Sequence, residues 1–152
     1  MRAVIQRVTS ASVTVGGRIT GAIERGVLVL VGVAIHDGPA DIEYTAAKIR
    51  DIRMFPDEAG KMNRDVAQAG GAVLLVSQFT LLGDVRNGRR PSFIEAAPPE
   101  LARTLYEDLA VALRARGLGV ETGEFRAHMD VALVNDGPVT LLIDSKRACQ
   151  VE

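Results

Sequence analysis

Short runs of apolar and β-branched residues mark the first half of the chain, and their spacing predicts strands. Ala3–Val15 is rich in Val, Ile and Thr, and Gly16-Gly17 then gives a tight-turn signal before Arg18–Ile23, so these segments predict a β-hairpin. The unbroken apolar runs Val27–Val33 and Ala72–Ser77 are typical of strands that are covered on both faces. Four strands are therefore predicted before residue 78.

Two segments carry apolar residues at helical spacing instead. Asp41–Ile52 predicts a first helix, and Glu100–Arg116 predicts a second one that begins after Pro98-Pro99. The predicted apolar stripe of the second helix consists of Leu101, Leu105, Leu109, Ala112 and Leu113. Gly117 follows as a C-cap, because glycine adopts the left-handed backbone conformation that commonly ends a helix.

The last third of the chain returns to β-type patterns. Val120–Phe125 predicts a strand, whereas Phe55–Gly60 earlier in the chain is typical of a loop. Val131–Ser145 predicts strand, turn and strand, because two apolar runs flank Asn135-Asp136-Gly137-Pro138. Pro138 either starts the second strand of this hairpin, where proline is tolerated, or belongs to a Gly-Pro pair that presents backbone atoms to a ligand.

Strands alternating with two helices predict an α/β fold: a compact single domain spanning residues 1–152, with mixed β-sheet layers and both main helices packed on one side. An α+β arrangement also fits the pattern, and strand order cannot be read from it. The composition supports a globular chain, since 47% of the residues are hydrophobic and 24% are charged.

Charge and cysteine content narrow the class further. A formal net charge of -1 excludes a strongly basic nucleic-acid coat but leaves room for a local basic patch. The single cysteine, Cys149, permits no intrachain disulfide and no cysteine-based metal cluster. No secretory signal pattern is present, and the longest apolar run, Val27–Ile35, is far shorter than the roughly 20 residues of a membrane span. We therefore expect a cytoplasmic protein.

Familiar catalytic motifs are absent from the sequence. His36 and His128 have no partner at helical spacing, and there is no nucleophile elbow or phosphate-binding glycine loop. What remains is the end of a predicted strand, Ser77-Gln78-Phe79-Thr80, which leads into the arginine-rich loop Leu82–Phe93. These hydroxyl and amide groups either make ordinary hydrogen bonds at a strand edge or are held there to act on a ligand.

Four segments together resemble the D-aminoacyl-tRNA deacylases, in the order and spacing of that family. Ser77-Gln-Phe-Thr-Leu81 and Asn135-Asp-Gly-Pro-Val-Thr140 are similar to its two signature segments. Met1-Arg-Ala-Val-Ile-Gln-Arg-Val8 and Gly88-Arg-Arg-Pro-Ser-Phe93 are also similar to it, so the resemblance covers nearly the whole chain.

The resemblance implies a hydrolase that cleaves the ester bond of D-aminoacyl-tRNA and of mischarged glycyl-tRNA(Ala), with no cofactor and no metal. It implies a homodimer with active sites at the subunit interface, and tRNA rather than DNA or a membrane as the partner. The Ser77, Gln78, Phe79 and Thr80 segment would be catalytic. Gly137 and Pro138 would form a cis dipeptide that reaches into the partner subunit's site and rejects L-amino acids.

Supporting roles follow from the same resemblance. Arg7 would hold the Gly-Pro dipeptide, although a surface arginine on a strand is the alternative, and Met129 would border the substrate unless it packs in the core. Arg86, Arg89 and Arg90 would contact tRNA phosphates, or else belong to a solvated loop.

The expected mechanism involves the backbone of Phe79 and Thr80. We expect backbone N–H groups around Phe79 and Thr80 to polarise the ester carbonyl, with the ribose 2′-hydroxyl helping to activate water; nucleophilic attack by Thr80 is the alternative.

The chain departs from the family in three places. Arg126 replaces a usually small residue, Leu82-Gly83 differs from the commoner pair, and the tail Lys146–Glu152 has no assigned role. A noncatalytic RNA- or small-ligand-binding homodimer that uses the same cleft is the competing function.

Overall fold

The computed structural model describes residues 1–146 and contains a mixed β-sheet with two helices. Cys149 and the predicted tail beyond Lys146 lie outside the described residues. In chain order the elements are β1 (Arg2–Val15), β2 (Arg18–Ile23), β3 (Gly26–Gly32), α1 (Pro39–Asp51), β4 (Phe55–Pro56), β5 (Met62–Arg64), β6 (Ala72–Ser77), a 3-10 turn (Phe79–Leu82), α2 (Pro99–Ala115), β7 (Val120–Thr122) and β8 (Asp130–Asp144). No helix among these is long and apolar enough to cross a membrane.

The main sheet has the order β2-β1-β3-β6-β7, and β8 pairs with β1 along its length. The pairs β3–β6 and β6–β7 are parallel, whereas β1 is antiparallel to each of its three neighbours. The predicted mixed sheet of an α/β fold is therefore confirmed. Its parallel strands β3 and β6 are almost fully buried, as their unbroken apolar sequences predict.

Both helices pack on the same face of this sheet, as expected. One continuous core joins both helices to alternate residues of three strands. It contains Ile49 of α1, Leu109 and Leu113 of α2, Ile5 of β1, Val29 of β3 and Leu75 of β6. The other alternate residues of β3 and β6 point to the opposite face and form a second, smaller core that includes Leu28, Leu74 and Val76. This alternation follows from the two-residue repeat of a strand.

Element bounds differ from the predictions in a few places. The helices begin one or two residues before the predicted starts and end one residue before the predicted ends. Leu101 of the predicted stripe is 37% exposed, while Tyr106 on the same helix is buried. The predicted loop Phe55–Gly60 begins with β4, which pairs with β5, and the strand predicted at Val120–Phe125 ends at Thr122.

The predicted hairpin at Val131–Ser145 is wrong. Residues 130–144 form one strand that stays antiparallel to β1 from end to end, with Asn135 opposite Val8 and Thr140 opposite Gln6. Because only Arg7 lies between Gln6 and Val8, the four residues 136–139 bulge out of the ladder. A cluster of Asn, Asp, Gly and Pro can therefore interrupt a strand without reversing it.

Candidate functional site

The end of β6 brings the predicted Ser-Gln-Phe-Thr segment to one edge of the sheet. Ser77 pairs with Val31 of β3, and the N–H of Gln78 donates to the carbonyl of Val31 at 2.7 Å before the chain turns away. Gly32 allows this turn, because a Cβ atom at Gly32 would lie 2.9 Å from the carbonyl oxygen of Gln78. The local sequence thus places residues 77–80 where β3 and β6 both end.

A cavity of about 240 Å³ opens beside this segment. Ser77 to Thr80 form one wall, and Ala102 and Tyr106 of α2 form another. The rest of the lining consists of Val31, Val33, Phe125–Ala127 and Met129. The structure therefore brings the four predicted catalytic residues together with Met129, which lines the cavity and also packs against the second core.

The polar groups of this segment are available to a ligand. The side chains of Ser77, Gln78 and Thr80 have no hydrogen-bond partner within residues 1–146, although all three line the cavity. Phe79 and Thr80 are the first two residues of the 3-10 turn, so their N–H groups have no acceptor within this turn. Several hydrogen-bond donors thus belong to residues that line one small cavity.

Among the described residues, no acidic or histidine side chain lines the cavity. Arg126 is the only charged residue in this part of the chain that lines it. Tyr106 donates its hydroxyl to the carbonyl of Leu75 at 2.8 Å, and burial raises the pKa of this phenol far above its ordinary value. Tyr106 therefore stays protonated and positions α2 against β6, the strand that ends at Ser77. Groups of three or more potential metal ligands are also absent from the described part of the chain.

Gly137 and Pro138 lie in the β8 bulge, where both are exposed. The peptide bond between them is cis, and the φ angle of Gly137 is 127°, a region that favours glycine. Neither residue lines the cavity of its own chain. Within one chain, the two signature segments therefore do not meet at a common cavity.

Two side chains hold this bulge in place. Arg7 donates from Nε to the carbonyl of Asp136 at 3.2 Å, and from Nη1 to the carbonyl of Met54 at 2.6 Å. The Arg7 Nε also lies 3.0 Å from the Asp136 carboxylate. Asn135 donates from Nδ2 to the carbonyls of Arg7 and Val139, at 2.9 and 3.0 Å, and so bridges the two ends of the bulge.

The surface alternative for Arg7 is thereby excluded, because this residue is buried. Its guanidinium also limits the space at the bulge, since a Cβ atom at Gly137 would lie 3.0 Å from Nη2 of Arg7. Arg7 thus contacts the Gly-Pro segment, which is the position that its supporting role requires.

The three loop arginines are exposed, and none of them lines the cavity. They differ in their partners. Arg86 forms a two-pronged ion pair with Asp84, with Nε and Nη2 at 2.9 and 2.6 Å from its oxygens. Hydrogen bonds from Arg86 lower the pKa of the Asp84 carboxyl to about 2. Arg89 and Arg90 have no ion pair with any described residue.

Sequence reasoning missed several residues that shape this region, among them Tyr106, Asn135 and Ala102. Tyr106 follows Leu105 of the predicted stripe, so the sequence could have indicated that this tyrosine is buried. The hydroxyl of a buried tyrosine usually has a hydrogen-bond partner. Asn135 was assigned to a turn rather than to bracing a bulge. Ala102 carries no chemical signal in the sequence, and only the packing of α2 places it at the cavity.

Comparison with known proteins identifies the class. The sequence model of the D-Tyr-tRNA(Tyr) deacylase family matches residues 4–144, and the chain therefore belongs to this family. It is 61% identical over 147 residues to the D-aminoacyl-tRNA deacylase of Anaeromyxobacter dehalogenans and, at the same identity and length, to that of Koribacter versatilis. In each case the match covers 97% of this chain and 99% of the relative.

A solved structure shows the same fold. The protein titled "c-Myc DNA Unwinding Element Binding Protein" is 42% identical to this chain and superposes with a TM-score of 0.89. The superposition covers 95% of this chain and 98% of that one. The family assignment made from four short segments is therefore confirmed along almost the entire sequence.

Proposed function

We propose that this protein is a cytoplasmic hydrolase that cleaves the ester bond between a D-amino acid and the terminal adenosine of tRNA. The products are the free D-amino acid and tRNA. The observation that carries the proposal is the cavity at the end of β6, where Ser77 to Thr80 present unpaired donors in a chain of the deacylase family. The names of its 61% identical relatives support the same activity.

Catalysis rests on polarisation of the ester carbonyl. The N–H groups of Phe79 and Thr80 are free to donate to the oxygen on which negative charge develops, and one such donor can lower the barrier by about 2.7–4 kcal/mol. Because no carboxylate or histidine lines the cavity, the neighbouring ribose 2′-hydroxyl of the substrate helps to activate the attacking water.

Chiral selection comes from the Gly137-Pro138 backbone of a partner subunit. This dipeptide is exposed, and hydrogen bonds from Arg7 and Asn135 brace the bulge that contains it. These features are suitable for a rigid segment that inserts into the cavity of the partner subunit. An L-amino acid would drive its side chain into the Gly137 and Pro138 carbonyls, whereas a D-amino acid would direct it elsewhere. Glycine has no side chain to exclude, so mischarged glycyl-tRNA(Ala) is accepted as well.

This arrangement needs a homodimer, and the surface of β8 supports one. β8 pairs only with β1, so its second edge is open in the described chain. Leu142 and Val134 on this strand are 70% and 56% exposed. Exposed apolar side chains on an open edge strand are typical of a protein–protein interface.

A noncatalytic RNA- or small-ligand-binding homodimer is the second candidate. The lack of an acidic or histidine side chain among the described residues that line the cavity favours it, as does the name of the 42% identical protein, which refers to binding rather than catalysis. Under this alternative the same donors of residues 77–80 would hold a ligand without cleaving it.

The deciding experiment measures amino-acid release from charged tRNA. Purified protein is mixed separately with D-tyrosyl-tRNA, L-tyrosyl-tRNA and glycyl-tRNA(Ala), and protein-free samples measure spontaneous hydrolysis. We expect rapid release from the D-tyrosyl and glycyl esters and only the spontaneous rate from the L-tyrosyl ester. Binding of all three substrates with no release above the spontaneous rate would establish the second candidate instead.

A further inference from the structure

Arg126 gives the cavity a single positive charge that the proposed mechanism does not use. All other residues that line the cavity are apolar or uncharged, including the protonated Tyr106. Arg126 is exposed, so it stands at the open side of the cavity rather than at its floor. A lone cation at the entrance favours a ligand that brings a negative charge to this point.

The guanidinium of Arg126 has no hydrogen bond or ion pair with residues 1–146. The nearby carboxylate of Glu124 is already engaged, because Arg18 donates to it at 3.0 Å. Guanidinium groups present several N–H donors in a planar fork, which matches the oxygens of a phosphate. Arg126 is therefore available to bind such a group without first breaking a contact to a described residue.

The backbone at this position makes an arginine unexpected. The N–H of Ala127 donates to the carbonyl of Glu124 at 3.2 Å, so residues 124–127 form a turn with Arg126 in its third position. The φ angle of Arg126 is 69°, and Arg126 is the only non-glycine residue with a positive φ among the described residues. Glycine is preferred at such a position, so this side chain is held despite a conformational cost.

We propose that Arg126 binds the phosphate that precedes the terminal nucleoside of the substrate, and so anchors the 3′ end of the tRNA at the cavity entrance. This inference rests on the proposed function. The ester lies at the donors of Phe79 and Thr80, and the terminal nucleoside then extends towards solvent with its phosphate outermost. The aminoacyl group is an unsuitable partner, because its α-ammonium would be repelled by the guanidinium.

The test compares two stable substrate analogues. Both carry D-tyrosine in amide linkage to 3′-amino-3′-deoxyadenosine, and one also carries a 5′-phosphate. We expect the phosphate to raise the affinity of the unaltered protein about 10-fold, as for one hydrogen-bonded contact between charged groups. Arg126→Gly, which suits the turn, should remove this gain, and Arg126→Lys should retain part of it.

Arg103→Ala is the matched control. Arg103 lies beside the cavity, with its guanidinium 4.8 Å from the centre of the Phe125 ring, but it does not line the cavity. This variant should therefore keep the full gain from the phosphate. The ratio of the two affinities within one variant cancels any general effect of the substitution on folding or on nucleoside binding.

Failure of this inference is distinguishable from failure of the proposed function. If Arg126→Gly keeps the full gain, or if the unaltered protein binds both analogues equally, the phosphate contact is excluded while hydrolysis of D-tyrosyl-tRNA still stands. If the unaltered protein neither binds the analogues nor hydrolyses D-tyrosyl-tRNA, both proposals are overturned. For intact D-tyrosyl-tRNA, Arg126→Gly should raise KM by a larger factor than it lowers kcat.

Discussion

At the scale of single residues, the cavity is defined by donors and by the absence of a base. The Thr80 hydroxyl is the candidate for nucleophilic attack, yet no histidine or carboxylate among the described residues lines the cavity to take its proton. The Thr80 N–H, by contrast, needs no activation to stabilise an oxyanion. The backbone of this residue therefore matters more for the proposed chemistry than its side chain.

The substitution Thr80→Ala separates these two roles. Because the N–H remains, we expect release of D-tyrosine to fall by less than about tenfold, whereas loss of a covalent nucleophile typically costs far more than 10³-fold. Initial rates on D-tyrosyl-tRNA measure the effect, and Thr80→Ser serves as the control that keeps the hydroxyl. A near-complete loss in Thr80→Ala that Thr80→Ser restores, with tRNA binding intact, would assign covalent catalysis to the hydroxyl.

At the scale of elements, β8 determines where the Gly-Pro segment lies. Its 15 residues form one continuous strand, and residues 136–139 leave the ladder without ending it. Asn135 holds the two ends of this bulge together through its bonds to the carbonyls of Arg7 and Val139. The geometry of the exposed dipeptide thus depends on a side chain that lies just before it.

Asn135→Ala tests this dependence. Both carbonyls lose their donor, and a polar group left without a partner costs about 1–3 kcal/mol, so we expect the free energy of unfolding to fall by about that amount. The ratio of the D-tyrosyl to the L-tyrosyl hydrolysis rate should also fall, because the bulge loses the hydrogen bonds that join its two ends. Urea unfolding and initial rates on both esters provide the two measurements.

Thr140→Ala is the matched control on the other side of the bulge, where the exposed Thr140 accepts only a 3.3 Å bond from Gln6. It should change the free energy of unfolding by no more than about 0.5 kcal/mol. Unchanged stability and selectivity in Asn135→Ala would show that the bulge is held without Asn135.

The strands show what the sequence could and could not predict. Buried strands such as Ala72–Ser77 were predicted correctly, because a continuous apolar run indicates a strand that is buried on both faces. The bulge at 136–139 was mistaken for a hairpin turn, because Asn, Asp, Gly and Pro favour both structures and only the pairing with β1 decides between them. β4 and β5 have two and three residues, which is too short for a recognisable alternation.

At the site, residues contiguous in sequence were predicted and residues joined by packing were not. Ser77 to Thr80 stand together in the chain, so the family resemblance could point to them directly. Ala102, Tyr106 and Phe125 reach the same cavity only because α2 and the segment after β7 pack beside β6. The burial of Arg7 likewise depends on the bulge around it and on the carbonyl of Met54.

At the scale of the whole molecule, the formal net charge of -1 gives no general attraction to tRNA. Under the proposed function, affinity for its phosphates would come from local clusters, of which the exposed loop with Arg86, Arg89 and Arg90 is the candidate that the sequence predicts. The charge of Arg86 is already balanced by Asp84 at 2.6 Å, so Arg89 and Arg90 are the cations of this loop that have no ion pair with a described residue.

Salt dependence of tRNA binding distinguishes these arginines. Each phosphate contact to a single strand contributes about -0.7 to the slope of log affinity against log salt concentration. We expect the double substitution Arg89→Glu and Arg90→Glu to weaken binding at low salt and to make this slope less negative by about 1.4. Arg86→Ala should change both quantities less, because Asp84 already occupies the Arg86 guanidinium and because one charge is removed rather than two reversed. Unchanged affinity and slope in the double variant would assign the loop to solvent and leave the rim of the cavity as the place where tRNA phosphates are bound.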